Sequence, residues 1–163
     1  MDHYLKESAR TVADQVFYEK VSYADLMYDL TDLVGVADLI DQAKKSIFYG
    51  KPYTCGNSAD EGDKLPTVTD PNILHGILGI ASESAEIAEL LLADKVDTAK
   101  LLDECGDVLW YLALIFRTLG VTFEQVCDLN LAKLKARFPE KFEAEKAIQR
   151  TTDKEEQAVF EGF

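Results

Sequence analysis

Two pairs of acidic residues mirror each other across one short turn. Glu83 and Asp107 lie equally far from Lys95, on opposite sides of it, and so do Glu86 and Glu104. Each pair has i, i+3 spacing, which puts both carboxylates on one face of a helix. The segment between them, LADKVD, reads as a turn. Folding the chain there into an antiparallel helix pair sets the two acid pairs at matching heights. Four carboxylates then converge, and such a cluster repels itself unless a cation fills it. The pattern predicts a topology and a need for positive charge together.

The rest of the chain supports helices. Gly and Pro are scarce, 9 and 4 in 163 residues, and no segment reads as a strand. A first amphipathic helix is expected over 4–20. Ser22 is a suitable N-cap for a second over 23–48, ending near Gly50 and Pro52. Residues 51–69 hold Pro, Gly, Asn and Ser and read as a loop. Asp70 followed by Pro71 starts a third helix, expected to run to Leu92. Asp97 caps a fourth that ends at Gly120, and Thr122 with Gln125 forms a capping-box pattern for a fifth, to Phe138. Pro139 then interrupts, and a charged segment follows as a fraying last helix.

This gives an all-α fold, an antiparallel bundle of five to six helices. N-terminal helices (1–50), a loop (51–69), central helices (70–142) and a charged tail (143–163) form one domain, since a chain of this length builds one core more readily than two. On the third helix, Leu74, Leu78, Ala81, Ala85 and Leu92 form one apolar stripe, and Ile73, Ile80, Ile87 and Leu91 form a second. Glu83 and Glu86 lie outside both, with Gly79 beside them. After Asp107 the fourth helix is apolar all round, VLWYLALIF, which predicts burial on every side. So short a chain cannot surround such a helix alone, and a homodimer or homotetramer is expected.

The formal net charge of −13 disfavours nucleic acid and anionic membrane surfaces as partners. A small anionic substrate remains compatible, given metal ions or a local basic patch. The longest apolar run, 108–116, is far shorter than the roughly 20 residues of a membrane span. Cys55, Cys105 and Cys127 form no CxxC motif and read as free thiols, and MDHYLKESAR carries no apolar leader. A cytoplasmic location is expected.

Ligands that are all oxygen favour hard cations, Mg²⁺ or Mn²⁺. A di-iron bundle needs Glu-x-x-His on two helices, and neither His3 nor His75 has an acid three positions before it. Zinc lacks its usual His and Cys ligands. On spacing alone a second reading stands: solvated acidic faces on a helical scaffold that docks a basic partner.

The strings GIASESAEIAELL, ECGDVLWYLALI and NLAKLKARFPEKF carry a further indication. Over about 71–142 the chain resembles the MazG-like, all-α nucleoside triphosphate pyrophosphohydrolases, marked by ExxE, a spacer (here 87–103) and ExxD. The resemblance implies a four-helix core completed by oligomerisation. It also implies hydrolysis of a nucleoside triphosphate, most simply a dNTP, to the monophosphate and pyrophosphate with Mg²⁺, Mn²⁺ being a possible substitute. It makes Glu83, Glu86, Glu104 and Asp107 the catalytic metal ligands; the alternative is that one of the glutamates orients or deprotonates the attacking water. Asn130, Lys133 and Arg137 match the family's N-x-x-K-x-x-x-R string and imply phosphate or sugar contacts. By position alone, Lys133 and Arg137 also read as ordinary bases near a helix C-terminus.

Tyr111, one turn past Asp107, is a candidate contact for the base or sugar, whereas Trp110 reads as core. Ser82 stands where many relatives double the glutamate, which leaves the number of metals open. Lys44, Lys45 and Lys51 precede the first acid motif, and solvation of a helix end is their favoured reading over phosphate contact. His75 reads as an ordinary core or surface histidine. A phosphoribosyl-ATP pyrophosphohydrolase or an all-α dUTPase would share the same carboxylate logic.

Overall fold

A computed structural model describes residues 2–13, 15–56 and 70–148. It contains α1 (Asp2–Ala9), α2 (Tyr23–Tyr49), α3 (Pro71–Glu89), α4 (Thr98–Leu119), α5 (Phe123–Arg137) and α6 (Ala144–Ile148), with 3-10 turns at Tyr18–Lys20 and Leu90–Leu92. No strand occurs among the described residues. Most of the expected 51–69 loop, and the charged tail beyond 148, lie outside the described residues.

Helix starts follow the capping chemistry of the sequence. Ser22 accepts a hydrogen bond from the Asp25 backbone N–H, Asp70 from that of Asn72, and Asp97 from those of Ala99 and Lys100. Thr122 and Gln125 make the reciprocal capping box of α5. Gly50 and Gly120 close α2 and α4 with φ of 67° and 71°, a left-handed conformation that glycine adopts without steric penalty.

The chain divides into two compact units, Glu19–Gly120 and a second formed by Met1–Tyr18 with Val121–Phe163. In the first, α3 packs against both α2 and α4. Gly76 and Gly79 present a flat strip of α3 to α4. A Cβ on Gly79 would lie 2.2 Å from the Tyr111 ring, and one on Gly76 would lie 2.5 Å from Ile115 Cγ1. Gly79 and Tyr111 are equidistant from Lys95, so the antiparallel register is the one the acid pairs predict.

The packing face of α3 differs from the expected one. Its buried residues are Gly76, Gly79, Ser82, Glu83 and Ala85, so Ala85 is the one member of the two expected stripes that is buried, and none of their leucines or isoleucines is. Close backbone approach, which only the small residues permit, decides which face goes inward. Nor is α4 buried on every side. Tyr111 is its one buried residue, while Leu102, Leu109, Trp110 and Leu119 are exposed.

In the second unit, α1 stops at Ala9 instead of running to 20. Ser8 Oγ bonds back to the Tyr4 carbonyl and Thr11 Oγ1 to that of Ser8, which favours a turn over further helix. Arg10 Nη1 donates to the carbonyls of Phe138, Pro139 and Glu140 at 2.9, 3.1 and 3.3 Å. These tertiary bonds tie the end of α1 to the end of α5. Among the described residues of this unit, Leu131 and Phe138 are the buried apolar ones. No single described helix is long and apolar enough to cross a membrane.

The glycine strip predicts opposite signs for one substitution. Gly79→Ala should destabilise by about 1–3 kcal/mol through overpacking against Tyr111. Gly35→Ala, in α2 with nothing within 4 Å of its added Cβ, should stabilise by about 0.5–1 kcal/mol. Urea denaturation midpoints of the two variants check both signs.

Candidate functional site

The glycine contact brings acids from two helices together. Glu83 lies one turn beyond Gly79 on the buried face of α3, and Glu104 and Asp107 lie one turn apart on α4. One ligand oxygen from each of the three lies within 4.8 Å of the others. Glu83 is buried, Glu104 half-buried and Asp107 exposed, so the cluster opens outward from a fixed inner ligand. This donor set is all carboxylate oxygen, which fits a hard divalent cation.

Glu86, the fourth expected member, is not in this trio. It lines a groove between α2 and α3 with Asp38, Asp41 and Glu89. Burial, with Glu83, Glu104 and Asp41 nearby, holds its carboxyl above the ordinary value. Glu104 is raised too, by burial and then by Glu83, Asp103 and Asp107. Gly106, between the two acids of α4, has nothing within 4 Å of where its Cβ would be, so no described helix packs against it.

Lys44 was expected to solvate a helix end. The structure buries it at 2% exposure, in contact with the first acid. Its Nζ donates to Ser82 Oγ at 2.8 Å and to Glu83 Oε1 at 3.1 Å, and pairs with Asp41 Oδ1 at 3.0 Å. It also lies 5.0 Å from the centroid of the Tyr111 ring. Burial alone would lower its pKa, but the neighbouring Asp41, Tyr111 and Glu83 outweigh burial and hold it above the usual lysine value. Asp41 is shared with Lys45, and the two lysines hold its carboxyl low against the effect of burial. Lys51 is exposed. Asp41 preceding Lys44 by three residues was the available signal, an intrahelical pair that usually indicates only a solvated face.

An aromatic group lies on the other side of Lys44 along α2. The His75 ring stacks on Phe48 at 4.1 Å and meets Trp110 and Tyr111 edge-on at 6.0 and 5.5 Å. Burial and then the Lys44 charge push His75 below the ordinary imidazole value. Tyr111, the expected substrate contact, is 7% exposed, its ring turned against Gly79. Trp110, the expected core residue, is 53% exposed.

Asn130, Lys133 and Arg137 lie on α5, in the second unit. Asn130 Oδ1 accepts the Tyr4 hydroxyl at 3.0 Å, and the Arg137 guanidinium lies 5.7 Å from the Phe138 ring centroid.

An all-α chain whose facing helices gather an oxygen-only acid cluster defines a class, the helical proteins with a carboxylate site able to hold a divalent cation. Residues 74–142 match the family described as the MazG nucleotide pyrophosphohydrolase domain, so this stretch is MazG-like. The match begins within α3 and leaves α2 outside. No curated protein and no solved structure matches the chain.

The raised carboxyl of Glu104 gives a stability test. In metal-free buffer at pH 7, Glu104→Gln should raise Tm by roughly 1–3 °C, because a partly screened like-charge contact is removed. The folded carboxyl keeps its proton to higher pH than the unfolded one, so the penalty is absent below about pH 4 and complete at neutral pH. Thermal melts should show the gain at pH 7 and lose it near pH 4. A lower Tm at pH 7 would count against the repulsion.

Proposed function

We propose that this protein is a divalent-metal-dependent nucleoside triphosphate pyrophosphohydrolase acting on a dNTP, with release of the monophosphate and pyrophosphate. The convergence of Glu83, Glu104 and Asp107 within 4.8 Å, inside the MazG-like stretch, carries the reading. These three hold the ion, Mg²⁺ or in its place Mn²⁺. When bound, such an ion neutralises the triphosphate and makes water a usable nucleophile at neutral pH. Glu86 is proposed either as a further ligand or as the glutamate that orients or deprotonates the water, since Glu83 and Glu104 lie near enough to help raise its carboxyl.

The base is assigned to the exposed face of Trp110, with Tyr111 as its backing. Asn130, Lys133 and Arg137 are proposed, on their motif, as phosphate or sugar contacts. The exposed apolar face of α4, with Leu102, Leu109 and Leu119, supports a homodimer or homotetramer. A cytoplasmic location accords with the three free cysteines.

A panel of canonical and damaged nucleotides with Mg²⁺ tests the reaction through pyrophosphate release. Asp107→Asn should lower release more than about a hundredfold, beyond the loss usual for a group that merely supports a ligand. Full activity in that variant would refute the site, and no release from any triphosphate would refute the reaction.

Loss of base stacking gives a separate kinetic signature. Trp110→Ala should raise KM by roughly tenfold or more with kcat little changed. Steady-state kinetics on the preferred substrate check this, and an equal fall in kcat at constant KM would contradict it.

A further inference from the structure

The trio is completed on its inner side by a cation that the chain itself supplies. We infer that Lys44 is a positioning residue for Glu83 and a resident cation of the centre, so that the centre holds one divalent ion per chain. This inference rests on the reading of Glu83, Glu104 and Asp107 as a metal site.

An ammonium group has three N–H donors. Lys44 directs them at three oxygens from two helices, Ser82 Oγ at 2.8 Å, Asp41 Oδ1 at 3.0 Å and Glu83 Oε1 at 3.1 Å. None is left for water or substrate, and the side chain is only 3% exposed. A phosphate contact would break this set. The lysine is therefore a fixed part of the site.

Its position limits how Glu83 can bind metal. Oε1 is taken by the ammonium and also lies 3.3 Å from the Ser82 hydroxyl. The α2 side of Glu83 is thus filled, and Glu104 and Asp107 approach from α4. An ion shared between Glu83 and Asp41 would have to displace Lys44 from both. The charges point the same way. With Asp41 offset by Lys45, the three carboxylates of the trio carry three formal negative charges, Lys44 offsets one, and a single divalent ion matches the remaining two. Lys44 belongs to α2, outside the matched residues 74–142, so this cation comes from a part of the chain that the family comparison does not reach.

Counting bound Mn²⁺ by electron paramagnetic resonance on the full chain tests the inference without turnover. A variant carrying Glu83→Gln, Glu104→Gln and Asp107→Asn supplies the background from surface acids. Above that background the unmodified protein should bind one ion per chain, and Lys44→Arg, which keeps the charge, should also bind one. Lys44→Met, which keeps the length and removes the charge, should bind two, and adding Asp41→Asn should return the count to one. Two ions in the unmodified protein would overturn the inference even if Lys44→Met failed to fold. One ion in folded Lys44→Met would overturn it as well. Pyrophosphate release, measured in parallel, separates the two claims. Activity with two bound ions sinks this inference alone, whereas one bound ion with no release from any triphosphate sinks the proposed reaction alone.

Discussion

The close approach of α3 and α4 is the constraint on which the centre depends. Gly76 and Gly79 leave room for Ile115 and for the Tyr111 ring, and burial of a large side chain in such a slot contributes roughly 1.5–3 kcal/mol. The same contact sets the register. With Gly79 against Tyr111, Glu83 one turn further along α3 meets Asp107 one turn back along α4, with Glu104 beside it. Divalent ions of the Mg²⁺ type demand ligand distances near 2 Å with little tolerance. The slot fixes the spacing of the helix pair, and with it the spacing of the acids. The glycines therefore do chemical work, although neither carries a functional group.

Much of this was legible because the signals are local. Ser22, Asp70, Asp97 and Thr122 cap helices through bonds to residues two or three positions away. The mirrored acids fixed the register because one short turn joins their helices. What was not legible depends on partners distant in sequence. Arg10 ends α1 by bonding to carbonyls at 138–140. Lys44 is an unremarkable member of a lysine pair until α3 covers it. Which of Trp110 and Tyr111 is buried was hidden for a similar reason. Adjacent residues on a helix point about 100° apart, and only the glycine strip reveals which of the two faces inward. Glu86 and Glu104 are at matched heights, yet Glu86 turns toward α2 and its acids.

A chain with a net charge of −13 repels a triphosphate at long range. Any affinity must come from the immediate surroundings of the site, where opposite charge is organised at contact distance. Lys44 and Lys45 offset Asp41 and part of Glu83, so α2 does not add uncompensated negative charge behind the trio. The same lysine charge, second to burial, lowers the pKa of His75 and favours the neutral ring that stacks on Phe48. One buried cation thus acts on the acids in one direction along α2 and on the aromatic group in the other.

The inner face of α3 is a poor choice if stability were its only purpose. Ser82 and Glu83 occupy buried positions where apolar side chains of similar volume would pack without desolvating a charge. A buried Lys44–Glu83 pair contributes little net stability, because removing both ions from water offsets most of their attraction. What the pair does provide is a carboxylate held in place by the Lys44 ammonium and the Ser82 hydroxyl before any ligand arrives. Among the described residues Glu104 and Asp107 make no such ion pair, and they are more accessible than Glu83. A rigid inner ligand with two more accessible outer ones is what a centre needs if it is to exchange its cation with solvent and still present the same geometry each time.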